Sequence, residues 1–139
     1  METDRRAAIL CVDDDPNLLE GLSRALRQDF SVTTALSGAA GLEAVRDSGP
    51  FAVVMADMRM PGMDGATFLG LVRQAVPDTT RVLLTGQTDL DAALNAVNQG
   101  SIFRFLRKPC PTNTLITELH SAAAQNRVVT AERAALKDT

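Results

Sequence analysis

A doubly wound α/β fold on a five-stranded parallel sheet, followed by an extended C-terminal helix, is predicted by three features of the sequence. Apolar runs end near Val12, Ala35, Ala56, Leu84 and Leu106. They recur at about 22 to 28 residues, the length of a strand, a crossover helix and two short loops. Between them the apolar pattern switches to a helical period, and this alternation of strand and helix is the pattern of a parallel sheet.

Runs one, three and four (Ile9-Leu10-Cys11-Val12, Ala52 to Ala56, Val82-Leu83-Leu84) are continuously apolar, as central strands covered on both faces must be. Ser31-Val32-Thr33-Thr34-Ala35 is more polar and reads as an edge, and Ile102 to Leu106 is the fifth run. The first helix carries the stripe Leu18, Leu19, Leu22, Ala25 and Leu26, with Asp15 as its cap and Pro16 in its first turn. Ser37-Gly38 precedes a second helix from about residue 39 to 47, which Gly49-Pro50 ends. Gly65 opens a third, lasting to about Ala75 before Pro77. Asp89 is expected to cap a fourth, with Leu90, Ala93, Leu94 and Val97 on one side and Gly100 as its stop.

The final helix begins near Thr112 and meets no stop before about Lys137. A crossover helix needs only about three to four turns, so roughly the last ten residues should project beyond the sheet. The expected division is a globular domain over 1–125 and a helical extension over 126–139, serving as linker or dimerisation segment. Leu115, Ala122, Val129 and Leu136 recur every seventh residue, but the second seam, Leu119, Asn126 and Arg133, is polar after its first member.

One domain fits 139 residues, a length that buries about two-thirds of the unfolded surface. A net charge of −3 and a pI near 5.1 argue against nucleic acid as a direct partner, since the basic residues form no patch. Cys11 and Cys110 read as small packing residues in a reduced, cytoplasmic setting, with no secretory leader read ahead of them. No run approaches the ~18 to 20 apolar residues of a membrane span.

Chemistry gathers where the runs end. Asp13-Asp14-Asp15 follows the first, Asp57 closes the third, Thr85-Gly86 ends the fourth and Lys108-Pro109 follows the fifth. Open parallel sheets bind ligands at the carboxyl ends of their strands, so these groups should share one crevice. Three carboxylates there are stable together only with a cation or a proton, and magnesium, with its preference for oxygen ligands, is the natural ion.

In this order the motifs resemble the receiver domain of two-component response regulators, of the chemotaxis type, over about residues 7 to 125. The resemblance implies a flavodoxin-like sheet of strand order 2-1-3-4-5. It implies that Asp57 accepts a phosphoryl group from a histidine kinase or phosphotransfer protein, with Thr85 and Lys108 completing the cradle. Asp14, Asp57 and the Arg59 carbonyl would hold magnesium directly, and Asp13 largely through water. Thr85 and Phe105 would form the switch read by a downstream effector, and Arg59 and Gln87, each two residues past a site residue, would tune the lifetime of the phosphoryl group. Such a domain is no enzyme beyond its own phosphorylation and dephosphorylation. The stretch from Leu84 to Pro109 is similar to receivers joined to cyclic-dinucleotide phosphodiesterase modules.

Two rival functions are open to this sequence. A haloacid-dehalogenase-type phosphatase would use Asp13 as nucleophile and Asp15 as acid, but Asn17 stands where that motif wants Thr or Val, and no later acidic pair or cap fits in the length. A docking module without phosphorylation would not require the full set of site residues. No nucleotide-binding glycine motif is present. Asp64 reads as a loop or cap residue, His120 as a surface or boundary residue, and Met55, Met58, Met60 and Met63 as packing and loop residues.

Overall fold

In the computed structural model of the chain, which describes residues 6–99 and 101–137, strands and helices alternate as the apolar runs predict. The strands are β1 Ala7–Val12, β2 Phe30–Ala35, β3 Val53–Asp57, β4 Thr80–Thr85 and β5 Arg104–Arg107. The helices are α1 Pro16–Leu26, α2 Gly38–Ser48, α3 Gly65–Ala75, α4 Leu90–Asn98 and α5 Thr112–Lys137. The sheet is parallel with order β2-β1-β3-β4-β5, which puts the polar β2 at an edge.

Alternate strand residues point to opposite faces and so build two cores. Leu10, Val12, Val54, Ala56 and Leu83 pack with Val45, Phe68, Leu69, Val72 and Ala93 of α2, α3 and α4. Ile9, Cys11, Val53, Met55, Val82 and Leu84 pack with Leu19 and Leu26 of α1 and with Leu115 and Leu119 of α5. Each fully buried Leu, Phe or Met contributes roughly 1.5 to 3 kcal/mol, so the two layers hold the sheet from both sides. Cys11 is one of these packing residues, and burial pushes its thiol up to about 12.

Caps fix where the helices start. The Asp15 carboxylate accepts from the Asn17 and Leu18 amides at 3.0 and 3.3 Å, the Ser37 hydroxyl from Ala40 at 3.0 Å, and the Asp64 carboxylate from Thr67 at 2.8 Å. His120 lies at a boundary, 3.1 Å from an Asp29 oxygen and with its ring centroid 4.6 Å from that of Phe30.

Several expectations need correction. Leu18 and Leu94 are not on the buried stripes; they are 37% and 45% exposed, because each stands about 100° around its helix from the residue that faces the sheet, Leu19 or Ala93. The fifth strand starts at Arg104, with buried Ile102 ahead of it. Asp89 flanks α4 without capping it, its carboxylate being bound elsewhere. The expected stop at Gly100 lies outside the described residues. The far part of α5 also carries two contacts that no local pattern announces: Asn126 and Arg133 both bind Asp78 in the loop before β4.

Candidate functional site

The register aligns Val12 with Ala56, Asp57 with Leu84 and Thr85 with Arg107, so the carboxyl ends of β1, β3, β4 and β5 finish along one edge. Backbone bonding continues past the strands. The Met58 amide donates to the Leu84 carbonyl at 2.8 Å, and the Lys108 amide to the Thr85 carbonyl at 2.9 Å. Side chains at this edge therefore stand on rigid elements.

Asp57 is buried, and both of its carboxylate oxygens are engaged. Oδ2 accepts from the Arg59 amide at 3.1 Å, and Oδ1 forms a salt bridge with the Lys108 ammonium, which follows β5 at the cis Lys108–Pro109 bond. Asp13 is also buried, with Oδ1 accepting from the Asp15 amide at 2.9 Å. Carboxylate oxygens of Asp13, Asp14 and Asp57 lie within 4.8 Å of one another. Like charges at that separation repel by roughly 3 kcal/mol per pair at an effective dielectric near ~20. Burial, foremost, holds the Asp13 carboxyl above its ordinary range; the Asp15 amide opposes this, the charge of Asp57 adds to it and Lys108 relieves it. One ammonium against three carboxylates leaves excess negative charge on hard oxygen donors, which suits magnesium.

Thr85 is fully buried and its hydroxyl donates to the Gly86 carbonyl at 3.1 Å. Phe105, half-buried, pairs in register with Leu83 and packs against the α2-α3-α4 core. Gln87 stands exposed in the 3₁₀ turn Gln87–Asp89. Beside the acid cluster opens a cleft of about 500 Å³ lined by Asp14, Met58, Arg59, Met60, Pro61, Asp64 and Asp89.

Two participants escaped the sequence reading. Gly65 donates its amide to the Met58 carbonyl at 2.8 Å, and a Cβ at this position would crowd the Asp57 carbonyl oxygen, so only glycine lets α3 start against the Asp57 backbone. Sequence signals showed it as a helix opener only. Asp89 binds the Arg59 guanidinium across the cleft, Oδ2 to Nε at 2.8 Å and Oδ1 to Nη2 at 3.2 Å, a pairing over 30 residues that no local pattern announces.

Residues 9–120 match the response regulator receiver domain family. The chain belongs to that family. Among solved structures similar to this receiver, one described as an adenylate cyclase from Rhodopirellula baltica has a TM-score of 0.94 and 42% identity, covering 96% of this chain and 99% of that one. The signal receiver domain of an HD domain-containing protein from Pseudomonas fluorescens Pf-5 has a TM-score of 0.82 and 32% identity, covering 89% of this chain and 99% of that one. The hydrogenase transcriptional regulatory protein HoxA of Cupriavidus necator is 33% identical over 120 residues, 86% of this chain and 25% of its own length. The receiver spans only about a quarter of the curated relatives that it matches.

Family membership also removes the phosphatase reading, and the geometry agrees: Asp15, the acid that reading requires, has its carboxylate on the first amides of α1. No helix among the described residues is long and apolar enough to cross a membrane.

Proposed function

We propose that this receiver is a phosphoryl switch in which Asp57 takes a phosphoryl group from the phosphohistidine of a histidine kinase or phosphotransfer protein. An Asp57 carboxylate oxygen forms the new P–O bond as the P–N bond breaks, and the imidazole leaves with the electron pair. The observation that carries this reading is the Lys108 ammonium on Asp57 inside the cluster of Asp13, Asp14 and Asp57. A carboxylate so placed is buried, desolvated and fixed by the Arg59 amide. Lys108 is positioned to pair with a phosphoryl oxygen, and the Thr85 hydroxyl to leave the Gly86 carbonyl and donate to another.

Asp14, Asp57 and the Arg59 carbonyl would hold magnesium, with Asp13 acting through water, and the bound ion would neutralise charge on the equatorial phosphoryl oxygens. Arg59 and Gln87 flank the approach of the hydrolytic water and set how long the acyl phosphate lasts. The switched surface, around α4, β5 and α5, is read by an effector in the cytoplasm, in the same chain or in a second protein, or by a second copy of the domain.

Incubation with acetyl phosphate and magnesium tests the proposal. One added phosphoryl group by intact mass is expected, labile to hydroxylamine and absent in Asp57→Asn. Labelling that persists in the Asn variant, or no labelling of the wild type, sinks it.

An output in cyclic-nucleotide signalling is the second reading. Two observations favour it: the resemblance of the stretch from Leu84 to Pro109 to receivers of cyclic-dinucleotide phosphodiesterases, and the similarity over nearly the whole chain to a structure described as an adenylate cyclase. Cyclase and phosphodiesterase assays of the full gene product, with and without beryllofluoride, decide it.

A further inference from the structure

One carboxylate in this domain has two claimants. Asp89 stands at the residue before α4, where an acidic side chain ordinarily accepts from the helix's first free amides. It makes no such bond, and its backbone, at φ −108° and ψ 15°, is away from the extended conformation that capping uses. Both of its oxygens are held instead by Arg59, at 2.8 Å from Nε and 3.2 Å from Nη2. Arg59 Nη2 also donates to the Thr88 hydroxyl at 3.3 Å. The two partners differ in their setting: the Asp89 side chain is 16% exposed and that of Arg59 73%. Arg59 leaves the chain two residues after the phosphoacceptor, and its own amide already touches the Asp57 carboxylate. A guanidinium prefers the most negative group within reach, and a phosphoryl group with up to two charges and three equatorial oxygens is a stronger bidentate partner than one carboxylate.

We propose that Asp89 is a positioning residue for the phosphoryl chemistry: it holds Arg59 away from Asp57 in the free domain, and releases it to the phosphoryl group when that arrives. The freed carboxylate then turns to the Asp91 and Ala92 amides and caps α4. Arrival of charge at Asp57 thus becomes order at the start of α4 by exchange of one ion pair, independently of any movement of Thr85 or Phe105. This rests on the reading of Asp57 as phosphoacceptor.

Asparagine and alanine separate the two roles, since Asn caps helices as well as Asp but forms no ion pair with Arg59, whereas Ala does neither. The test is titration of the full chain with beryllofluoride in magnesium, followed by amide NMR, for the wild type, Asp89→Asn, Asp89→Ala, Arg59→Gln and the double variant Arg59→Gln with Asp89→Asn. Asp89→Asn should bind beryllofluoride about two- to fivefold more tightly than the wild type, the scale of one exposed ion pair that no longer has to break. The gain should vanish in the double variant. In the wild type, beryllofluoride should slow hydrogen exchange at the Asp91 and Ala92 amides; in Asp89→Asn, whose side chain is free to cap from the start, that protection should already be present without ligand, and in Asp89→Ala it should appear in neither state. Equal affinity of wild type and Asp89→Asn, a gain that survives loss of Arg59, or protection in Asp89→Ala equal to the wild type would each overturn the proposal. No binding by the wild type would instead remove the phosphoacceptor reading, and this inference with it.

Discussion

Arg133, near the end of α5, forms a 2.8 Å salt bridge with Asp78 in the loop before β4, and Asn126 donates to the Asp78 carbonyl at 2.8 Å. Seven-residue spacing puts Asn126 and Arg133 on the helix face that carries Leu115, Leu119 and Ala122 against the sheet. The heptad spacing is therefore, in its first half, the stripe that covers β3 and β4, and its polar interruptions are a tether to the same domain. Truncation after Gln125 should lower stability by about 1 kcal/mol, the scale of a part-exposed ion pair plus one hydrogen bond, and Asp78→Ala should reproduce only the ion-pair share of that loss, because the backbone carbonyl that accepts from Asn126 remains. Urea denaturation checks both. An unchanged midpoint would make residues 126–137 a freely projecting linker, leaving the exposed Val128 and Leu136 as the material for pairing chains.

Gly65 and Gly70 lie on the same helix and should respond oppositely to alanine. At Gly65 the new Cβ meets the Asp57 carbonyl oxygen at 2.3 Å and Leu83 Cδ1 at 2.8 Å, and backbone cannot yield as a side chain does. Gly65→Ala should cost about 1 to 3 kcal/mol and slow acetyl phosphate labelling, because the Asp57 backbone must shift. Nothing lies within 4 Å of a Cβ at Gly70, so there alanine should stabilise by about 0.5 to 1 kcal/mol through helix propensity and leave labelling unchanged. Chemical denaturation and labelling rates on the two variants separate a clash at the site from any general effect on α3.

The strands and the four converging ends were legible because each depends on local pattern, apolar runs of even spacing and a polar residue at each of those run ends, whereas the strand order was implied by the resemblance to receivers and is the order observed. Asp15, Ser37 and Asp64 were legible as caps for the same reason, since capping is a bond to amides two or three residues away. Asp89 shows where this fails. By local pattern it is a cap, yet an arginine 30 residues earlier takes both of its oxygens, and only the folded chain brings the two loops together. The tether at Asp78 and the closeness of Gly65 to Asp57 are likewise tertiary facts, written in no periodicity.

Asp13 gives the metal-free domain a pH dependence of definite sign. Its carboxyl is raised from 3.8, by burial above all and then by the charge of Asp57, so over the range between that value and the folded one the native state binds more protons than the unfolded chain. Stability from this group is full below the unfolded value and falls as pH rises through the folded one. Asp13→Asn removes the charge while its amide oxygen can still accept from the Asp15 amide. Without magnesium at neutral pH the variant should be about 1 kcal/mol more stable, or about 2 to 5 °C in Tm, and the gap should close towards pH 4. Magnesium should then stabilise the variant less than the wild type. Parallel pH profiles for the two proteins without metal would show that Asp13 carries no such cost.

Thr85 and Phe105 face the same core from neighbouring strands, two register positions apart, with the threonine fully buried and the ring half-buried. The Thr85 hydroxyl is turned to the Gly86 carbonyl; drawn to a phosphoryl oxygen instead, it would vacate volume beside the ring. Core packing tolerates no void of that size cheaply, so the ring should move inward and the α4-β5-α5 surface repack. Phe105 lacks the hydroxyl that would tether a tyrosine to solvent, which lowers the cost of the inward state. Thr85→Ala opens the space permanently, and its Phe105 ring resonances without ligand should move towards those of the wild type with beryllofluoride and magnesium. Thr85→Val fills the space with a methyl group that cannot donate, so its ring resonances should stay at the free position even when beryllofluoride is bound. Aromatic carbon–proton spectra of the three proteins, each with and without beryllofluoride, carry the test; a Phe105 ring that reports the same environment in all six would break the coupling between the hydroxyl and the surface.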